Sequence, residues 1–104
     1  MGSSYEFRIH PGAAGDLKSA PADVRERIRK KLREMVTNEF RDLMDYDVKK
    51  LRGTRNDLYR TRIGGYRVAF VVSGDVVGIV GADKRSGAYG NVDTFDDRAD
   101  EFSG

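Results

Sequence analysis

The 104-residue sequence contains no cysteine, which excludes a disulfide framework and a thiolate zinc site. No apolar run approaches the roughly 18 residues of a membrane span, and no signal peptide is visible, so a soluble cytoplasmic protein without membrane association is expected. Histidine is almost absent. The single His10 sits where a first strand should end, far in sequence from the main basic cluster, and reads as an ordinary strand-end residue rather than a general base. Asp45, Asp47 and Asp57 have no metal-ligand spacing to a histidine or a second carboxylate, so neither a metal nor a cofactor is expected.

What is present is charge, and it is segregated. The net charge of +2 hides a run from Val48 to Arg67 with seven basic residues and one acidic residue. Lys49, Lys50, Arg52, Arg55, Arg60, Arg62 and Arg67 set against Asp57 form a density that attracts phosphate polymers. From Asn91 to Gly104 the balance reverses, with five carboxylates and only Arg98 against them. That acidic tail either lies over the basic patch, holds a short helix, or stays solvated.

The chain is long enough for one domain with a modest core. In "YEFRIH", Tyr5, Phe7 and Ile9 alternate onto one face, which predicts a first strand ended by Pro11. "GAAGDLKSA" is a short helix candidate. The strongest element is "SAPADVRERIRKKLREMVTNEF": Ser19 or Asp23 caps its start, Pro21 sits early in its first turn, and Val24, Ile28, Leu32 and Met35 form a helical stripe. Its other face is dense in Arg and Lys and reads as a solvated surface. "RDLMDYDVKKLRGTRN" reads as a loop or short helical turn.

"LYRTRIGGYRVAF" predicts a hairpin around Gly64-Gly65, a pair that takes positive φ without steric cost. That turn would pair Ile63 with Tyr66, Arg62 with Arg67, Thr61 with Val68 and Tyr59 with Phe70. Tyr59, Thr61, Ile63, Tyr66, Val68 and Phe70 then share the core face. Arg60, Arg62 and Arg67 share the other, with Arg62 directly opposite Arg67. Opposed like charges destabilise a strand pair, by up to about 1 kcal/mol, so the arrangement suggests an anion held between guanidinium groups. On that reading, removing Arg67 should cost no stability. A second turn at Gly74-Asp75 brings Val72 opposite Val77 and Phe70 opposite Ile79, which completes a three-stranded meander.

The order strand, helix, helix, three strands predicts an α+β fold: a four-stranded, mainly antiparallel sheet with two N-terminal helices packed on one face, the arginine face staying open. This order, with "KKLRG", "LYRTRIGGYRVAF" and "DKRSGAY", resembles the RelE/ParE superfamily of toxins, over about residues 5–90. The resemblance implies a toxin domain over residues 1–90, followed by the acidic tail 91–104. It also implies a ribosome-dependent mRNA endoribonuclease, with messenger RNA, the ribosome and its rRNA, and a cognate antitoxin as partners. The oligomeric state stays open, with a heterotetramer with the antitoxin among the arrangements.

Carried over by position, the resemblance makes Arg52 and Arg60 RNA contacts beside Lys49 and Lys50. Arg67 becomes the phosphate-stabilising residue, and Arg62, Lys84, Arg85 and Tyr89 join it in the catalytic set. The chain departs from the well-studied RelE-like pattern by carrying Arg60 and Arg62 where lysines stand. An arginine, with a pKa above about 12, is a poor general base, which leaves proton transfer to Lys84 or Tyr89. The alternatives are a ParE-like DNA gyrase inhibitor, disfavoured by the ring of basic residues, and a RelE-fold module that binds RNA or protein with weak catalysis.

Overall fold

The computed structural model describes residues 6–37, 48–84 and 92–102. Its elements run β1 (Glu6–Ile9), α1 (Pro11–Lys18), α2 (Ala22–Thr37), β2 (Val48–Lys50), β3 (Leu58–Ile63), β4 (Tyr66–Ser73), β5 (Val76–Lys84) and α3 (Val92–Ala99). The fold is α+β, but the sheet has five strands in the order β1-β5-β4-β3-β2, not four. The added strand is β2, which lies in the stretch expected to be a loop. It pairs antiparallel with the free edge of β3, with Lys49 opposite Arg60, and three residues with one apolar side chain carry no alternation to read. The sheet is mixed, because β1 runs parallel to β5, Phe7 opposite Val77 and Ile9 opposite Ile79.

The hairpin register is as the glycine pair requires. Gly64 and Gly65 both take positive φ, 56° and 83°, and Ile63–Tyr66, Arg62–Arg67, Thr61–Val68 and Tyr59–Phe70 are all paired. Ile63, Tyr66, Val68 and Phe70 are buried beneath α1 and α2, with Val24, Ile28 and Leu32 of α2 closing that core. Pro11 both ends β1 and opens α1, where its missing N–H is no loss. His10 caps that helix: its Nδ1 accepts from the Gly12 N–H at 3.0 Å. Its Nε2 meets Glu101 just beyond α3.

The expected open face is covered in part by a third helix. Phe95 and Ala99 of α3 are buried against Leu58, Ala69, Val71 and Val80. β5 supplies the seat, because a Cβ at Gly81 would stand 1.9 Å from Phe95 Cε1 and one at Gly78 2.7 Å from Phe102 Cγ. A bulge between Ala69 and Phe70 of the β4–β5 pairing shifts the register by one, so Ala69 faces Gly81 while Phe70 faces Ile79. Since β1 stops at Ile9, that edge of β5 beyond Ile79 has no neighbouring strand among the described residues. An ion pair serves it instead: Arg98 donates to the Val80 carbonyl at 2.9 Å and to Asp16 at 3.0 Å, and Asp16 accepts from the Ala82 N–H at 3.2 Å. Among the described residues no helix is long and apolar enough to cross a membrane.

Candidate nucleic-acid interface

The pleat sends Lys49, Arg60, Arg62 and Arg67 to the face opposite α1 and α2. Arg60 and Arg67 line one small pocket together with Asp83, and Val92 and Phe95 of α3 complete its wall. With α3 in place the pocket holds about 20 Å³, room for one water-sized group such as a single phosphate oxygen. Arg60 Nη1 is buried and has no hydrogen-bond partner among the described residues. A buried orphan donor costs about 1–3 kcal/mol, so it marks either a strained position or a place where a ligand is received.

Arg67 is differently held. Asp83 lies directly opposite it on β5 and accepts from Nε at 3.0 Å and from Nη2 at 3.1 Å, a two-pronged charge pair with both side chains largely buried. Asp83 was absent from the residues expected in the site. The bulge is the reason: unshifted pairing from the Gly74-Asp75 turn would set Ala82 opposite Arg67 and send the Asp83 carboxylate toward the core. That second consequence is physically untenable, and it is the signal from which the bulge could have been inferred.

The remaining cations divide by surroundings. Arg62 sits at the α2 end of the hairpin, where its carbonyl accepts from Lys31 Nζ at 3.0 Å and its residue joins Arg27 and Lys30 around a shallow depression. Lys49 and Arg52 are exposed on β2 and the turn after it. Lys50 pairs with Asp57 at 3.1 Å, and that hydrogen bond raises its pKa above the usual lysine value. Lys84 ends β5, while Arg85 and Tyr89 lie outside the described residues.

The acidic tail does meet the basic run, at Arg55 and Asn56. Asp96, buried on α3, accepts from the Arg55 N–H at 2.8 Å, the Asn56 N–H at 3.1 Å and Asn56 Nδ2 at 2.8 Å. Burial pushes its carboxyl up, but the backbone bond from Arg55, the side-chain and backbone bonds from Asn56 and the Arg55 charge outweigh it, and the net shift is downward. Arg55 Nη2 reaches Asp97 and Asp100, each at 2.8 Å, and these bonds raise the already high arginine pKa. Asp100 is lowered by the Asn56 amide and then by Arg55.

A mixed five-stranded sheet with helices on both faces and an arginine-lined pocket on one of them defines a small α+β domain. No family model matches the chain. It is 32% identical over 89 residues to the RelE1 protein of Methanocaldococcus jannaschii, covering 84% of this chain and 97% of that protein. To Toxin RelE3 of the same organism it is 36% identical over 62 residues, covering 60% and 69%. A chain in the crystal structure of the archaeal RelE–RelB complex from Pyrococcus horikoshii aligns with a TM-score of 0.65 and 33% identity, over 82% of this chain and 99% of that one. The chain belongs to the RelE toxin family.

Proposed function

We propose that this protein is the toxin of a toxin–antitoxin pair and cleaves messenger RNA on the ribosome, with a RelB-like antitoxin as its partner. The observation that carries the reading is Arg60 Nη1, buried and without a partner among the described residues, on a side chain that lines a pocket with Arg67 on the basic face. A backbone phosphate oxygen supplies the acceptor that guanidinium group lacks. Lys49 and Arg52 extend the cationic surface along the strand that leads into the pocket, a track for the neighbouring phosphates.

The chemistry this face can support is attack of a ribose 2′-oxygen on the adjacent phosphorus. The bond to the 5′-oxygen breaks, leaving a 2′,3′-cyclic phosphate and a free 5′-hydroxyl. Arg60 and Arg67 stabilise charge on the non-bridging oxygens of the pentacoordinate state. The 2′-proton passes to Lys84 or Tyr89 acting as base, with the arginines too basic to accept it. Arg85 and Arg62 add charge stabilisation, and one protonated group returns a proton to the leaving oxygen.

The bidentate Arg67–Asp83 pair favours a second reading, an RNA-binding module with weak cleavage, because half of the proposed phosphate clamp is already neutralised. Induced expression with mapping of messenger RNA 5′ ends separates these. Cuts inside translated codons support the nuclease, RNA binding without cuts supports the module, and loss of DNA supercoiling with intact messages would sink both.

A further inference from the structure

Val92 and Phe95 of α3 wall the arginine pocket and leave about 20 Å³ beside Arg60 and Arg67. A nucleotide phosphate, with four oxygens and a ribose on either side, does not fit that space. Two kinds of contact seat α3. Its rings lie on the glycines of β5, Phe95 over Gly81 and Phe102 over Gly78. Its carboxylates gather on one turn: Asp96 accepts from the Arg55 N–H, the Asn56 N–H and Asn56 Nδ2, and Asp97 and Asp100 each meet Arg55 Nη2 at 2.8 Å.

The shape of that turn does not depend on α3. The Leu51 N–H donates to the Leu58 carbonyl at 2.8 Å and closes the loop. The Thr54 hydroxyl and the Leu58 N–H both donate to the Asn56 carbonyl, at 2.6 and 2.9 Å. Two backbone N–H groups, an amide and a guanidinium therefore converge from a turn fixed by its own bonds, a donor set that suits a phosphate as well as a carboxylate. Lys49 and Arg52 lie beside it, on the strand and loop that lead into it.

We propose that the Arg55–Asn56 turn is a phosphate site for single-stranded RNA, held in the free chain by the carboxylates of α3. RNA lifts the helix, fills the turn and gains access to Arg60. The proposal rests on the RNA reading above and extends it from the pocket to the turn that precedes β3. Apparent RNA affinity is then set by the fraction of molecules with α3 lifted. A helix of eight residues does not persist alone in water, so the lifted segment loses its amide protection.

The test follows two quantities in the full chain: affinity for a single-stranded RNA of about 12 nucleotides, and hydrogen exchange of the α3 amides. Saturating RNA should quicken exchange over Phe95–Ala99 by at least about tenfold. Phe102→Ala removes a ring from the seat and leaves net charge alone, and Asp97→Asn/Asp100→Asn removes two ion pairs from Arg55. Each should tighten RNA binding by the factor by which it quickens α3 exchange without RNA, at least about threefold for the aspartate pair. If Phe102→Ala fails to fold, the aspartate pair carries the test. Glu6→Gln/Glu26→Gln makes the same charge change at exposed positions on β1 and α2 and should leave α3 exchange unaltered. Arg55→Ala should quicken exchange yet bind RNA more weakly than the other variants. RNA bound with α3 exchange unchanged, or equal tightening by the Glu6/Glu26 control, overturns the displacement while the RNA reading stands. Arg55→Ala tightening RNA as much as Phe102→Ala or the aspartate pair overturns the turn as a phosphate site. No RNA binding by the parent or any variant overturns the RNA reading and this site with it.

Discussion

Arg67 and Asp83 stand directly opposite each other on β4 and β5 and share two hydrogen bonds of 3.0 and 3.1 Å. On the other side of β4, Arg62 faces the same Arg67. The carboxylate thus sits on the cation that the hairpin crowds, and it reverses the expectation that Arg67 could be removed at no cost. Arg67→Ala takes two charge-assisted hydrogen bonds from a largely buried carboxylate, and Asp83→Ala takes the same two from Arg67, which stands opposite Arg62. Each should cost about 1.5–3 kcal/mol. The double variant should recover part of that, which a thermodynamic cycle measures. Asp83→Asn should also tighten binding to short single-stranded RNA, while Arg67→Ala should weaken both binding and cleavage. If Asp83→Asn leaves RNA affinity unchanged, Arg67 does not receive phosphate.

Arg60 should show the opposite balance between stability and activity. Its buried Nη1 has no partner among the described residues, so Arg60→Met, which keeps most of the side chain's length without the donor, should raise stability by about 1 kcal/mol. The same change should lower RNA affinity and cleavage together. Thermal melting and RNA fluorescence anisotropy on one preparation test the pair of effects. A variant that melts lower and still binds RNA would mean that Arg60 serves the fold.

The hairpin was legible in the sequence because Gly64-Gly65 dictates its own register and alternation then sorts every side chain from Tyr59 to Phe70. The stripe Val24, Ile28 and Leu32 was legible for the same reason of period. Three features were not. β2 is too short to carry alternation, the pairing of β1 with β5 joins segments about 70 residues apart in sequence with no local cue, and the bulge in β5 moves Asp83 onto the arginine face. The clamp of Asp96 on Arg55 and Asn56 escaped for a related reason. Opposite charges in two segments imply attraction, but the backbone N–H groups that fix the partner belong to a turn whose shape only the fold sets.

Two glycine-to-alanine changes should have opposite signs. At Gly81 the new methyl would stand 1.9 Å from the Phe95 ring, so α3 must lift or β5 must bend, at a cost of about 1–3 kcal/mol or more. At Gly15, exposed inside α1 with nothing within 4 Å, alanine removes unfolded-state freedom and should stabilise by about 0.5–1 kcal/mol. Chemical denaturation gives both values, and limited proteolysis near the C-terminal end should quicken only for Gly81→Ala. If Gly81→Ala melts like the parent, the Phe95 contact does not hold the helix down.

Acid should loosen α3 through Asp96. The bonds from the Arg55 and Asn56 backbone, the Asn56 amide and the Arg55 charge hold its carboxyl below the usual range in the folded protein, despite burial. A group depressed on folding contributes its full stability above its unfolded value, about 3.9, and loses it as pH falls through that value toward the depressed one. Asp100, lowered by Asn56 and Arg55, adds in the same direction. The melting temperature should therefore be insensitive to these groups above about pH 5 and fall below about pH 4. Asp96→Asn presents an amide donor or a single uncharged acceptor where three N–H groups converge, so it should melt lower at neutral pH, by about 4–8 °C for each kcal/mol lost. It should also show a shallower decline between about pH 5 and pH 3, because the proton that weakens the parent has no carboxylate to bind. Parallel acid slopes for variant and parent would place the titrating latch elsewhere than Asp96.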